Sequence, residues 1–205
     1  GYSDAGQHSQ CVYGTFAHLP GMKVVAPSNA YDAKGLLKSA IRDDDPVVFF
    51  EHKALYPRKM EVPEEEYLIP IGEAAMPREG DDVTVVAIGR MVNFAEKTID
   101  KLGEENITCD LIDPRTLSPL DDEMIFESLG HTGRLVIVDE SPPRCSIASD
   151  IAGTVASQAF DKLKAPVKLV TAPHTPVPFA KELERAYIPG PDKIEAAIRE
   201  VLSDG

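Results

Sequence analysis

The sequence predicts an α/β fold in which mostly parallel strands form sheets that helices cover on both faces. Short apolar runs rich in β-branched residues alternate with longer segments whose apolar residues recur at helical spacing. The short runs lack the apolar–polar alternation of a half-exposed strand, which indicates strands buried on both faces. Strands separated by helices imply right-handed crossovers, parallel pairing and three layers.

The first strand–helix–strand unit lies within residues 22–50. A β-branched strand at Met22–Ala26 precedes a helix whose apolar stripe covers Ala30–Ile41. The segment Asp43–Pro46 predicts the end of this helix, because the residue before a proline disfavours the helical conformation. The following run, Pro46–Phe50, is apolar throughout and predicts a strand buried on both faces.

The same alternation continues from residue 82 to the end of the chain. Each strand is a short apolar run, and each helix carries apolar residues three or four positions apart. The predicted strands span 82–88, 108–112, 134–138 and 167–170, and the predicted helices span 94–102, 122–129, 147–160 and 193–202.

A change of composition near residue 61 divides the chain. Residues 1–60 carry 7 Lys and Arg and 6 Asp and Glu, whereas residues 61–205 carry 14 and 28. The acidic, proline-containing stretch at 61–70 is typical of an interdomain linker. We therefore predict a first domain at 1–60, a linker at 61–70 and a second domain at 71–205.

The composition excludes several classes of protein. A net charge of −13 disfavours binding to nucleic acid, and no apolar run has the roughly 18 residues of a membrane-spanning helix. The 3 cysteines, Cys11, Cys109 and Cys145, are too far apart for a disulfide framework or a zinc site. We expect a soluble, acidic protein of the cytoplasm. Because the sequence opens without Met or a strand, we also expect a piece of a longer polypeptide.

His8 is the residue best suited to chemistry. It lies in a predicted loop, Ala5–Gln10, among small and polar residues that leave its imidazole accessible. A histidine transfers protons near neutral pH. No nucleophile and aspartate are spaced to complete a triad with it. The alternative is a loop histidine that bonds only to the backbone.

Three other segments carry polar side chains, each with a structural alternative. The turn Asp43–Asp45 follows a helix whose last carbonyl groups could bind a hard cation, or it is a solvated acidic turn. Asp139 and Glu140 follow a buried strand and could act as acid and base, although helix capping or an interface salt bridge is the simpler interpretation. Nothing in the sequence assigns a chemical role to Cys145, and His174, in a proline-rich loop, suits packing or an interface.

Seven segments of the chain, in order, carry a further signal. They are Gly6–Gln10, Pro20–Pro27, Tyr31–Leu36, Asp45–Glu51, Asp113–Leu120, Thr132–Glu140 and Pro176–Phe179. Together they resemble the beta subunit of the thiamine-diphosphate-dependent 2-oxoacid dehydrogenases, over essentially the whole chain and without large gaps. Segments 144–151 and 172–179 are most similar to the acetoin dehydrogenase branch, because the pyruvate and branched-chain branches tend to be glycine-rich near 145–149.

The resemblance implies a transketolase-like architecture and a role for His8. Residues up to about 60 would end a pyrimidine-binding domain, and those from about 70 would form a transketolase C-terminal-type domain. His8 matches the family's active-site histidine, which handles protons of the substrate and of the accepting lipoyl group. The glutamate that activates the cofactor would lie upstream, and the alpha subunit would hold the diphosphate and Mg²⁺. We therefore assign no cofactor ligand in this segment and expect the chain alone to be inert.

The resemblance also implies a structural potassium site. Ala40, Ile41, Asp43 and Asp45 match its positions in the family. Its ligands are largely main-chain oxygens, so Asp45, where relatives often have Asn, is compatible with K⁺.

The implied function is that of a subunit in an alpha2beta2 enzyme. It would cleave acetoin or decarboxylate a 2-oxoacid, and pass the acyl group to a lipoyl acyltransferase. Pyruvate or a branched-chain 2-oxoacid is the alternative substrate. A fragment of a transketolase or deoxyxylulose-phosphate synthase is disfavoured, because Gln7–Gln10 is similar to the dehydrogenase loop and supplies no basic phosphate ligand. A non-catalytic assembly module remains open, since nothing after residue 70 requires catalysis.

Overall fold

The computed structural model of this chain describes residues 1–204 and confirms the predicted α/β class. Its helices and strands follow each other in the predicted alternation, with additional short elements. They are α1 (Ala5–Ser9), α2 (Tyr13–Ala17), β1 (Lys23–Val25), α3 (Ala30–Arg42), β2 (Val47–Phe49), β3 (Ala75–Arg78), β4 (Val83–Ala87), α4 (Arg90–Gly103), β5 (Cys109–Asp113), β6 (Thr116–Ser118), α5 (Asp122–Thr132), β7 (Leu135–Asp139), α6 (Ile147–Gln158), β8 (Lys168–Thr171), α7 (Lys181–Tyr187) and α8 (Pro191–Ser203).

These strands form two sheets. The first has the order β2–β1–β6 and the second the order β3–β5–β4–β7–β8. Strands β1 and β2 pair in parallel, as do the neighbours in the run β5–β4–β7–β8, whereas β6 and β3 join their sheets antiparallel. The mostly parallel pairing agrees with the strand–helix alternation of the sequence.

Helices cover both faces of the second sheet. On one face α4 and α8 pack against Val83 and Val85, and on the other α5 and α6 pack against Val86 and Ile137. Successive residues of a strand point to opposite faces, so a continuous apolar run is needed when both faces are covered. All five residues of β4 are accordingly buried.

The two sheets share an apolar core. Val24 of β1, and Ala26 just after the end of that strand, lie in the same buried cluster as Ile112 and Ile137 of the second sheet. Strand β6 adds to this connection, because it follows β5 of the second sheet directly in sequence yet pairs with β1, Ser118 opposite Val24. This shared core fixes the first sheet against the second.

Some local predictions were wrong. Segment Ala5–Gln10 is not a loop throughout, since it contains helix α1. Strand β2 is only half-buried, because it lies at the edge of its sheet. Five elements escaped prediction because they are too short for a periodic pattern: α1, α2, α7, β3 and β6. Among residues 1–204, the structure contains no helix that is both long and apolar enough for a membrane span.

Candidate functional site

His8 lies near the end of α1, on the wall of a small cavity between the two sheets. The cavity has a volume of about 110 Å³, and Cys11, His52, Lys53 and Glu140 also line it. The His8 side chain is exposed, and its Nε2 atom lies 3.1 Å from Nε2 of Gln7. The imidazole is therefore accessible, as the sequence predicted, while its role in catalysis stays a prediction.

A tight turn precedes His8 and sets its direction. Ser3 and Ala5 have φ angles of 65° and 63°, in the left-handed region that non-glycine residues seldom adopt. The buried Ser9 hydroxyl accepts hydrogen bonds from the backbone N–H of Tyr2, at 3.3 Å, and of Asp4, at 3.1 Å. The side chain of Ser9 thus ties the end of α1 back onto the turn that begins it.

His52 and Glu140 form a polar pair on the same cavity. His52 Nε2 lies 3.0 Å from Oε2 of Glu140, and the backbone N–H of Ala54 donates to Nδ1 of His52 over 3.1 Å. Because Nδ1 accepts a hydrogen bond, the proton of the neutral ring is on Nε2 and is donated to the carboxylate. Burial lowers the pKa of His52, which agrees with a neutral ring. Oε1 of Glu140 contacts the nitrogen of Gly1.

This pair links the two sheets. The sequence points to Glu140 as a candidate site residue, but not to His52. Glu140 follows β7 and His52 follows β2, each at the carboxyl end of a strand. Ligands of α/β proteins gather at such ends, so the position of His52 after Val47–Phe49 was a usable signal. Glu140 thus makes a contact between the two sheets, but because the His52 ring is neutral this contact is a hydrogen bond and not the salt bridge considered from the sequence.

The other predicted side chains do not join His8. Asp139 is fully buried and accepts hydrogen bonds from the backbone N–H and the hydroxyl of Ser141, so it stabilises a turn. Cys11 lines the cavity with His8, but burial raises the pKa of its thiol, which favours the protonated form over the thiolate. Cys145 and His174 are exposed on loops and are not among the residues that line the cavity.

The predicted potassium site lies at the end of α3, where a lysine already pairs with its carboxylates. Lys23 Nζ lies 2.7 Å from Oδ1 of Asp43 and 3.0 Å from Oδ2 of Asp45. This pairing lowers the pKa of Asp43. The ends of α-helices leave main-chain carbonyl groups without helical partners, and these include the carbonyls of Ala40 and Ile41. K⁺ would therefore depend on main-chain oxygens, and the site stays a prediction.

A larger cavity adjoins the first one. Its volume is about 420 Å³, and it lies between the start of α3, the 51–60 segment and α4. Glu51 and His52 line both cavities. In the described part of the chain, residues 1–204, no three His, Cys, Asp or Glu side chains converge as a metal site.

Comparisons with known proteins agree with this architecture. The family described as "Transketolase, pyrimidine binding domain" matches residues 3–59, and "Transketolase, C-terminal domain" matches residues 72–194. A solved structure titled "Split gene transketolase, inactive beta4 tetramer" has a TM-score of 0.80 and 25% sequence identity. That similarity covers 94% of this chain and 61% of the other.

Curated relatives are beta subunits of dehydrogenases. The chain is 55% identical over 204 residues to the subunit beta of acetoin:2,6-dichlorophenolindophenol oxidoreductase of Bacillus subtilis, covering 100% of this chain and 60% of that protein. The same subunit of Cupriavidus necator is 52% identical, with 100% and 61% covered. The beta subunit of 2-oxoisovalerate dehydrogenase of Bacillus subtilis is 45% identical, with 95% and 60% covered.

This chain therefore spans about 60% of the length of these relatives. Membership of the matched family implies thiamine diphosphate as the cofactor. The residues matched by the two family models include all strands of both sheets and the segment that carries His8. The chain belongs to the transketolase family, in the group that contains the beta subunits of thiamine-diphosphate-dependent acetoin and 2-oxoacid dehydrogenases.

Proposed function

We propose that this chain belongs to the beta subunit of a thiamine-diphosphate-dependent dehydrogenase that cleaves acetoin. The observation that carries the proposal is the exposed imidazole of His8 on a cavity between the sheets, in a chain 55% identical to an acetoin oxidoreductase subunit. Pyruvate or a branched-chain 2-oxoacid is the alternative substrate. Residues 1–60 would be the end of the pyrimidine-binding domain, 61–70 a linker and 71–205 the second domain.

The residues of this chain would hold and move protons. When bound, thiamine diphosphate supplies the electron sink that C–C bond cleavage requires. The His8 side chain is exposed and, within residues 1–204, its one side-chain hydrogen-bond contact is with Gln7, which leaves the imidazole able to exchange a proton with a bound group. His52 and Glu140 bond to each other, to Ala54 and to Gly1, so they line the wall without hydrogen-bonding to the His8 ring.

The complete enzyme would need a partner. Since the relatives are named as beta subunits, we propose an alpha subunit that completes an alpha2beta2 assembly and holds the diphosphate and Mg²⁺, with a lipoyl acyltransferase as acceptor. K⁺ at Ala40, Ile41, Asp43 and Asp45 would be structural. The acidic composition and the three dispersed cysteines favour a cytoplasmic location.

The test is turnover by the full-length chain co-expressed with its alpha subunit. Thiamine diphosphate, Mg²⁺ and an artificial electron acceptor are supplied, and acetoin, pyruvate and branched-chain 2-oxoacids are offered separately. We expect turnover of acetoin that falls by about 10²–10⁴-fold in His8→Ala, the range for loss of a general acid or base. The exposed His18→Ala variant is the matched control.

Two other outcomes of this experiment would favour one of the alternative functions. Turnover of pyruvate alone would place the chain in the pyruvate branch. No turnover from a well-assembled complex would contradict the proposal and favour the assembly module.

A further inference from the structure

We propose that Glu184, on α7, is a positioning residue for His8, because it holds the turn from which helix α1 begins. This inference rests on the proposed function, which gives His8 its role in turnover. Glu184 comes from the far end of the chain and reaches the first residues only through the tertiary fold.

The contact between Glu184 and this turn is direct. The hydroxyl of Ser3 donates a hydrogen bond to Oε2 of Glu184 over 2.5 Å. Glu184 is only 2% exposed, so the contact is shielded from water. A buried carboxylate requires such donors, because burial without hydrogen bonds is costly.

The turn itself needs an external restraint. Both Ser3 and Ala5 have positive φ angles, and a backbone in this region persists only where its surroundings hold it there. Ser9 ties the turn internally, through the N–H groups of Tyr2 and Asp4. Glu184 ties the turn to helix α7, which lies near the opposite end of the chain.

Apolar packing does not replace this restraint. Helix α1 has five residues, and Ser9 is the one buried residue that it contains. A helix of this length is not stable by itself. Polar contacts at the turn therefore set the orientation of α1 and of His8. Among these contacts, the bond to Glu184 involves a buried carboxylate. Arg90 also holds the start of the chain, because its Nη1 donates a hydrogen bond to the carbonyl oxygen of Gly1 over 3.1 Å.

The charge of Glu184 strengthens the contact. Burial acts to raise the pKa of Glu184, but the hydrogen bond from Ser3 and other polar groups of the turn more than offset it, and the pKa lies below its ordinary value. The carboxylate is thus ionised at neutral pH. Hydrogen bonds to an ionised acceptor are shorter and stronger than those between neutral groups.

The experiment compares kcat and KM in the full-length chain assembled with its alpha subunit. Glu184→Ala and Ser3→Ala remove the contact, and Glu184→Gln keeps a weaker, neutral acceptor. We expect kcat to fall by about 10- to 100-fold in the alanine variants, as for misplacement of a catalytic group, with little change in KM. Glu184→Gln should retain more activity, and Glu182→Gln, exposed on the same helix, should match the unaltered enzyme.

A second measurement separates positioning from a general loss of stability. In an enzyme that already carries His8→Ala, adding Ser3→Ala or Glu184→Gln should cause no further loss of kcat, because the group they position is gone. An equal additional loss would overturn the inference. If the Glu184→Ala enzyme fails to assemble, the kcat values of Ser3→Ala and Glu184→Gln provide the test instead.

The two proposals fail in different ways. If His8→Ala turns over as fast as the unaltered enzyme, the proposed function of His8 fails and this inference fails with it. If His8→Ala loses turnover while Ser3→Ala and Glu184→Gln keep it, only the positioning by Glu184 is overturned.

Discussion

His52 Nε2 lies 3.0 Å from Oε2 of Glu140, and this hydrogen bond joins the end of a strand in the first sheet to the end of a strand in the second. Both side chains are largely buried, since the exposed fraction is 12% for His52 and 4% for Glu140. The pair lines the cavity of His8 and links the parts of the chain that form its walls.

Loss of the His52 ring should destabilise the chain, because the buried Oε2 atom of Glu140 would lose its hydrogen-bond donor. We expect His52→Ala to lower the free energy of unfolding by about 1–3 kcal/mol, the cost of leaving a buried polar group unsatisfied. Chemical denaturation measures it, with the exposed His18→Ala as control. Equal midpoints for the two variants would contradict the prediction.

The free energy of unfolding should depend on pH through the protonation of the buried Asp113 carboxyl group. Burial raises its pKa from 3.8 to about 7, although the Ser28 hydroxyl and the backbone N–H of Arg115 donate to it. The folded chain then binds this proton more tightly than the unfolded chain does. The contribution of Asp113 to the free energy of unfolding therefore falls as pH rises from about 4 to about 7, and it is constant above that range.

The variant Asp113→Asn tests this dependence, because it mimics the protonated acid. Its amide oxygen would accept from Arg115, and its NH₂ group would donate to Ser28. We expect a flatter dependence of the unfolding midpoint on pH between 4 and 7 and, above pH 7, a gain of roughly 1–3 kcal/mol from removal of a buried charge. An unchanged pH profile would refute the assignment.

Gly14 should not tolerate a side chain. A Cβ atom there would lie 2.4 Å from the backbone oxygen of Cys145, so α2 or the 142–146 loop would have to move. We expect Gly14→Ala to cost about 1–3 kcal/mol, as overpacking does. Gly153→Ala is the matched control, since no atom beyond its own stretch of helix lies within 4 Å of its Cβ position, and in a helix it should stabilise by about 0.4–1 kcal/mol. Thermal unfolding of both variants measures the difference.

Potassium should raise the unfolding midpoint if the carbonyl groups of Ala40 and Ile41 bind it. The measurement is thermal unfolding in KCl and in choline chloride at equal ionic strength, because surface charges respond to ionic strength alone. Asp45→Asn should keep the effect, since main-chain oxygens are the expected ligands. An identical midpoint in both salts would exclude the site.

The longer helices and strands, and the accessibility of His8, could be predicted from the sequence because each depends on residues that are close together in the chain. Four of the five residues of β4 are apolar, since helices cover both faces of the strand, and the hydroxyl of the fifth, Thr84, bonds to Ser128 and Thr132. Helix α3 ends before Asp43–Pro46 because a residue that precedes proline disfavours the helical conformation. The short elements β6 and α1 were missed. Three residues carry no period, so Thr116–Ser118 is a strand only because β1 lies beside it.

By itself, then, the sequence determined the α/β alternation, the family likeness and the identity of His8 as the candidate group, since patterning and residue type are local properties. Tertiary structure alone decided which distant side chains meet there. His52 and Glu140 come from the ends of strands in different sheets, and Ser3 and Glu184 come from opposite ends of the chain. Such pairs form because the shared core of Val24 and Ile137 holds the two sheets together, and no local pattern specifies that packing.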